Sequence, residues 1–280
     1  MLKQRILTAI AMILILLPAL LHPDIRLLAL LSLILIGAAA WEWARLNGSK
    51  PTISLLFGGG VAAFCLFFLL LNLQIFLSSG FWLFISSAWV LLGGYLLKGG
   101  QSKWQRTNQY LRVIIGPVIL ISAWLGLYES KLMGTAYLLS VLLLVWVADI
   151  AAYFAGRQWG RHKLAPNISP GKSWEGLVGG IVGVFLLALS WLGLDDIFPA
   201  MQGGIFERLK LHGWFLFFLN ILFLTLMSVV GDLIESLIKR AAGAKDSSQL
   251  LPGHGGVLDR LDAILPVLPL AIMLTQYQWI

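Results

Sequence analysis

Residues Trp214–Asp262 read WFLFFLNILFLTLMSVVGDLIESLIKRAAGAKDSSQLLPGHGGVLDRLD, an apolar run that passes directly into a charged, glycine-rich segment. From Trp214 to Ile238 the only ionisable residues are Asp232 and Glu235, close to its end. At a rise of about 1.5 Å per residue, such a run crosses a hydrocarbon core of about 30 Å. Beyond it come Lys239, Arg240, Lys245, Asp246, a Pro-Gly-His-Gly-Gly turn at 252–256, Asp259, Arg260 and Asp262, and then the chain is apolar again. Ionisable groups at that depth are expensive in lipid, so they are read as a functional site.

The rest of the chain repeats the apolar pattern. Its 280 residues are 59% hydrophobic and 12% charged, with a mean hydropathy of +0.87, more apolar surface than one water-soluble core can hide. Runs of spanning length fall near Ile6–Leu21, Leu27–Ala44, Ile53–Leu71, Gly80–Leu97, Val113–Tyr128, Gly134–Phe154, Trp174–Gly193, Trp214–Ile238 and Ala263–Tyr277. The expectation is an all-α integral membrane protein, a polytopic bundle of about nine transmembrane helices. The first run follows Lys3 and Arg5 as a signal peptide would, but no small-residue cleavage site follows closely, so a retained helix is expected.

Threading the chain through nine spans leaves only Arg26, Lys131, Arg208 and Lys210 on one side. The other sixteen of the twenty Lys and Arg residues share the side of the N-terminus. Basic residues resist translocation, so the rich side is cytoplasmic and Ile280 lies outside. The net charge of +7 therefore describes a membrane face suited to anionic headgroups and nucleotides, with no fold to present it to nucleic acid. Residues 1–128 read as a scaffold of five helices, with Glu42 almost the only charge inside them. Residues 129–280 carry the chemistry on four helices and the loops 156–173 and 239–262. Cys65 has no His or carboxylate beside it and reads as core packing. The Trp residues, including Trp41, Trp43, Trp82, Trp104, Trp174, Trp214 and Trp279, cluster near span ends and read as interfacial anchors.

In the first loop, Asp149 stands one helical turn before Tyr153 and two before Arg157. The sequence Ser169-Pro-Gly-Lys172-Ser173 reads as a turn whose backbone N–H groups meet a phosphate at the start of the next helix. It is no P-loop, because the first glycine of that motif would fall at Pro166. Gly176 with Gly180, and Gly179 with Gly183, are small-residue pairs for close helix packing. Their neighbour is either within the chain or in a second protomer, which leaves a homodimer open.

In the second loop, Asp232, Glu235, Ser236 and Lys239 lie on one helical face. The glycines at 255 and 256 let backbone amides approach a ligand. Carboxylates gathered this closely repel one another unless cations join them, and hard oxygen ligands suit Mg²⁺ arriving with a nucleoside triphosphate. His254 alone is a poor metal ligand, and no Cys/His cluster exists.

Ser236-x-x-Lys239-Arg240, Lys245-Asp246 and Pro252-Gly253-His254-Gly255-Gly256-x-x-Asp259-Arg260-x-Asp262 together resemble the signature of the phosphatidate cytidylyltransferase family. The resemblance extends over Asp149–Gly176 and the multi-span layout. It implies transfer of CMP from CTP to phosphatidic acid, giving CDP-diacylglycerol and pyrophosphate in phospholipid biosynthesis at the inner membrane, with the active site facing the cytoplasm. It implies Mg²⁺ on Asp232, Asp259 and Asp262, with a monovalent cation as an open second ion. Asp246, Lys239 and Arg260 would join the catalytic set. Arg157, Ser169, Lys172, Ser236, Arg240, Lys245, His254, Gly255 and Gly256 would contact substrates. A lipid-alcohol kinase would need a base that nothing here nominates. A CDP-alcohol phosphotransferase would need glycine where Ile150 follows Asp149. A transporter leaves the gathering of charge on one face unexplained.

Overall fold

A computed structural model describes residues 2–71, 73, 78–195 and 197–276. The long helices are α1 (Leu2–Leu21), α2 (Ile25–Leu46), α3 (Pro51–Leu70), α4 (Ser79–Arg106), α5 (Gln109–Met133), α6 (Thr135–Trp159), α7 (Trp174–Leu194) and α9 (Trp214–Ala241). Shorter pieces are α8 (Ile205–Lys210), α10 (Leu258–Leu261) and α11 (Ile264–Gln276), with one antiparallel hairpin of β1 (Lys163–Ala165) and β2 (Ser169–Ser173). The all-α membrane architecture read from the sequence is the observed one, apart from that hairpin.

Among the described residues, seven helices are long and apolar enough to cross a bilayer: α2 to α7 and α9. The two other expected spans are α1 and α11. The 13 residues of α11 cover about 20 Å, less than a full hydrocarbon core. It packs among α4, α5 and α9, and residues Leu265 to Leu274 are buried. Ile280 and Trp279 lie outside the described residues. The span over Gly80–Leu97 runs on to Arg106, through a break at Gly100, whose φ is 65°.

Contacts group the loops into two ends of the bundle, matching the alternation of basic residues. At one end, the Lys131 ammonium donates to the Leu20 carbonyl at 2.6 Å and Arg208 donates to the Met133 carbonyl at 3.2 Å. At the other, Gln101 donates to the Asn167 carbonyl and Gln105 to the Ala241 carbonyl, which ties α4 to both charged loops.

The tryptophans divide in a way the sequence reading did not separate. Trp43, Trp82 and Trp104 are buried core residues. The indole N–H of Trp43 donates to the Arg112 carbonyl, and that of Trp104 to Asn47 Oδ1. Burial of an indole is favourable once its one donor is satisfied, so Trp43 and Trp104 are core rather than anchors, while Trp82 is equally buried with no partner for its Nε1 among the described residues. Trp174 and Trp214 are exposed, as anchors would be, and Cys65 is fully buried.

The small-residue pairs of α7 are spent inside the chain, against α6, and carry no case for a homodimer. A Cβ on Gly176 would sit 2.9 Å from the Ala152 carbonyl, and one on Gly180 equally close to that of Ala148. The loop-bearing ends of α6 and α7 are thereby locked together. Gly180→Leu should cost about 1–3 kcal/mol of stability through overpacking, read as a lowered melting temperature in detergent. Gly193→Ala, at a position with nothing near its Cβ, should leave that temperature unchanged.

Candidate active site

The second charged loop folds around a carboxylate from a distant helix. Glu42, on α2, is fully buried. Its Oε1 accepts from Ser248 Oγ at 2.5 Å and from the Val257 N–H at 3.0 Å. Its Oε2 accepts from Ser247 Oγ at 3.0 Å and from the Leu258 N–H at 2.7 Å. The N–H groups of Val257 and Leu258 lie at the start of α10, where no intrahelical acceptor exists. Glu42 thus caps α10 from outside, the task a local Asp or Ser performs elsewhere.

That cap fixes Asp259, whose Oδ1 takes the Lys239 ammonium at 2.5 Å. Its Oδ2 accepts from the Ser247 N–H at 2.9 Å and from the Gly256 N–H at 2.7 Å, and it shares the single Ser247 hydroxyl proton, at 2.9 Å, with Glu42 Oε2. Gly255, at φ 81°, makes the turn that aims this last amide. Burial by itself would push the Asp259 pKa up, but Lys239 and the Gly256 N–H outweigh it and hold the carboxyl at about 2. Lys239 also pairs with the buried Glu235, one turn earlier on α9.

The two loops meet at Asp232. Lys172 of β2 places its ammonium 2.7 Å from Asp232 Oδ2, while Ser236 donates to Oδ1 at 3.2 Å. Arg240 reinforces the junction through the Ile168 carbonyl at 3.5 Å. The stretch 169–173 is a strand rather than an open turn: β1 pairing holds it, and the Trp174 N–H goes to the His162 carbonyl. Ser169 therefore sits inside a hairpin, and Ser173 caps α7 by accepting from the Gly176 N–H. Glu175 closes the hairpin through His162. The basis is pairing of Lys163 with Ser173, ten residues on, and of Ala165 with Ser169, which the turn-forming Pro170 and Gly171 conceal in the sequence.

Asp262 stands beside this group. Gly231 lacks the Cβ that would collide with the Asp262 carbonyl and the Pro266 ring, so the turn after α10 lies flat on α9 next to Asp232. Asp262 Oδ1 accepts from the Ala263 N–H at 2.8 Å. Burial first, and then the charge of Asp232, push its pKa well above the usual carboxylate range. Asp149 reaches the cluster from α6, within electrostatic range of both Lys172 and Asp232. Around it the outer face of α6 shows Trp146, Ile150 and Tyr153 exposed.

Asp149, Asp232, Glu235, Asp259 and Asp262 thus share two ammonium groups, Lys172 and Lys239. Such an excess of hard oxygen, with one carboxyl driven toward protonation, fits a divalent cation. Among the described residues, no three His, Cys, Asp or Glu side chains are grouped as a ready-made metal cage.

Other expected residues lie apart from this cluster. Arg157 is exposed and donates to the Tyr153 hydroxyl at 3.4 Å. Arg260 is exposed and donates to the His254 carbonyl at 2.7 Å, while His254 Nδ1 is buried without a partner. Lys245 and Asp246 line an open cleft on the other side of Ser247. Sequence reasoning missed Ser247 and treated Glu42 as scaffold. The available signal for Glu42 was a carboxylate amid the apolar and small residues of α2.

The chain's residues 3–278 match the model of the cytidylyltransferase family. The chain belongs to the cytidylyltransferase family. It is 35% identical over 272 residues to the phosphatidate cytidylyltransferase of Pseudomonas aeruginosa, covering 96% of this chain and 95% of that protein. It is 34% identical over 289 residues to that of Haemophilus influenzae, covering 96% of each. Against that of Staphylococcus saprophyticus the identity is 42% over 144 residues, about half of each chain.

Within this family member, Glu42→Gln tests the cap. An amide has one acceptor oxygen where the carboxylate has two, so about half of the four donors lose their partner, at about 1–3 kcal/mol each. The expected result is a melting temperature lower by several degrees and a kcat reduced on the order of tenfold or more, as Asp259 loses its frame. Unchanged turnover would show that the loop holds Asp259 without Glu42.

Proposed function

We propose that the protein is a phosphatidate cytidylyltransferase, converting CTP and phosphatidic acid to CDP-diacylglycerol and pyrophosphate. The observation that carries this reading is the Lys172–Asp232 pair. It fuses the two charged loops into one polar site that opens beside the exposed apolar face of α6. A phosphate can enter that site while acyl chains stay in lipid.

In this reaction a phosphatidate oxygen forms a bond to the α-phosphorus of CTP, and the bond from that phosphorus to the bridging oxygen breaks as pyrophosphate leaves. The acceptor is already a phosphate, so no side chain has to deprotonate a hydroxyl. What the protein must do is hold two anions together and offset their charge. Lys172 supports the acceptor phosphate, standing between β2 and Asp232. Lys239 is held by Glu235 and Asp259 at the buried end of the site, where the charge of the leaving group is best met. Asp232, Asp259 and Asp262 are the residues that would hold Mg²⁺, which when bound supplies Lewis-acid neutralisation at the reacting phosphates. Arg240 and the hairpin keep the loops in register.

Purified protein given labelled CTP and phosphatidic acid should yield lipid-linked CMP and pyrophosphate. Lipid phosphate with CDP, or no turnover, would reject the assignment. Asp232→Asn keeps shape but removes the charge that holds Lys172 and a cation, so its kcat should fall on the order of 10³-fold, with membrane insertion intact. Activity near that of the unmodified protein would remove Asp232 from the machinery.

We also propose that this face is cytoplasmic in an inner membrane, on the sixteen-to-four distribution of basic residues. In a Cys65→Ser background, Gly171→Cys should react with an impermeant thiol reagent only when the cytoplasmic face is open. Leu211→Cys, exposed at the opposite end, should react from outside, and the reversed pattern would overturn the orientation.

A further inference from the structure

Lys172 and Asp232 are bonded to each other, yet both have other work in the proposed reaction. The lysine takes the acceptor phosphate and the aspartate takes a cation, so the pair that joins the two loops is given up when substrates arrive. The side chains are 24% and 27% exposed, and an ion pair of that kind holds little by itself. Another tether must keep the hairpin against α9 during the exchange.

Three hydrogen bonds outside the carboxylate cluster form a closed triangle that can do so. Gln101, on α4, donates from Nε2 to the Asn167 carbonyl at 2.6 Å, in the turn between β1 and β2. Gln105, one helical turn on, donates to the Ala241 carbonyl at 2.9 Å. Ala241 is the last residue of α9, where a carbonyl has no intrahelical donor. Arg240 Nε donates to the Ile168 carbonyl at 3.5 Å, which joins α9 back to the same hairpin turn. Neither glutamine is charged, so a phosphate that draws Lys172 away from Asp232 leaves their bonds in place.

The end of α4 that carries these donors is itself fixed from α2. Trp104 is buried and donates its indole N–H to Asn47 Oδ1 at 3.1 Å. Asn47 Nδ2 donates to the Trp43 carbonyl at 2.9 Å, and the Trp43 and Trp104 rings meet edge to face at 6.1 Å. Trp43 is the neighbour of Glu42, so one stretch of α2 frames both loops, the second directly through Glu42 and the first through α4. The kink at Gly100 sets the direction in which residues 101–106 leave the span. Its φ of 65° and ψ of −168° suit glycine almost alone.

We propose that Gln101 and Gln105 are positioning residues for the transfer reaction, a bracket that keeps Lys172 in reach of the acceptor phosphate once its pair with Asp232 has opened. The proposal rests on the reading of Lys172 as the lysine of that phosphate. Lys172→Ala tests the reading through a raised KM for phosphatidic acid. Variants of the glutamines test the bracket.

Gln101→Met keeps the length of the side chain and removes its donor. It should lower kcat/KM for phosphatidic acid about fivefold, equivalent to about 1 kcal/mol, with the KM for CTP within about twofold and the melting temperature unchanged. Added to Lys172→Ala, it should lower kcat/KM no further than Lys172→Ala alone, because no ammonium is left to position. Gln105→Met should repeat both results. An additive loss would make the glutamines general structural contacts and overturn the proposal, as would unchanged kinetics. A second measurement needs no substrate. A nitroxide on Gly171→Cys in a Cys65→Ser background, at a position with nothing near its Cβ, reports the mobility of the hairpin. Gln101→Met should mobilise that label strongly when combined with Lys172→Ala and only weakly when Lys172 is present. Equal spectra with and without Gln101 in the Lys172→Ala background would show that the hairpin stays in place unaided, and the bracket would be rejected.

Discussion

A single buried carboxylate, Glu42, organises the polar end of this bundle. Four donors converge on it, two hydroxyls and two backbone amides, all from residues 247–258. Without an acceptor there, a loop with three glycines would have many conformations and little reason to choose one. With it, the start of α10 is fixed to α2, Ser247 is turned to Asp259, and Asp259 is placed to receive Lys239. The loop's rigidity is thus supplied by a helix more than 200 residues away in sequence.

From that point the charges follow a chain across the membrane face. Asp259 holds Lys239, Lys239 pairs with Glu235, and α9 carries both Glu235 and Asp232, which receives Lys172 from the hairpin. Each ammonium is shared by carboxylates that would otherwise repel. A carboxyl left over, Asp262, is driven toward protonation by burial and by Asp232. Phosphoryl-group chemistry needs such an arrangement because most of its catalysis is charge neutralisation and positioning. The bundle contributes the positioning: α6 and α7 lie in contact through glycines, and Gly231 allows the turn after α10 to rest on α9.

Much of this was legible in the chain. Runs of spanning length have only one physical use, because a backbone in lipid must satisfy its own hydrogen bonds, and helices do that. The spacing of Asp232, Glu235, Ser236 and Lys239 places them on one helical face whatever surrounds them. The close packing encoded by Gly176 and Gly180 was equally plain, although its partner, α6, was not. What could not be read was pairing at a distance. Trp43, Trp82 and Trp104 look like interfacial residues until the acceptors for Trp43 and Trp104 are found in the core. The stretch 169–173 looks like a turn until β1 is laid beside it.

The sequence by itself determined the helices, their membrane character and the chemical inventory of the site, since composition and local periodicity depend on neighbours in the chain. Tertiary structure alone decided which charges meet, because Glu42 and Leu258, or Lys172 and Asp232, are close only after helices far apart in sequence have packed. It also decided which way Ser247 points, toward Glu42 and Asp259, because a side chain's direction is set by its partners in space.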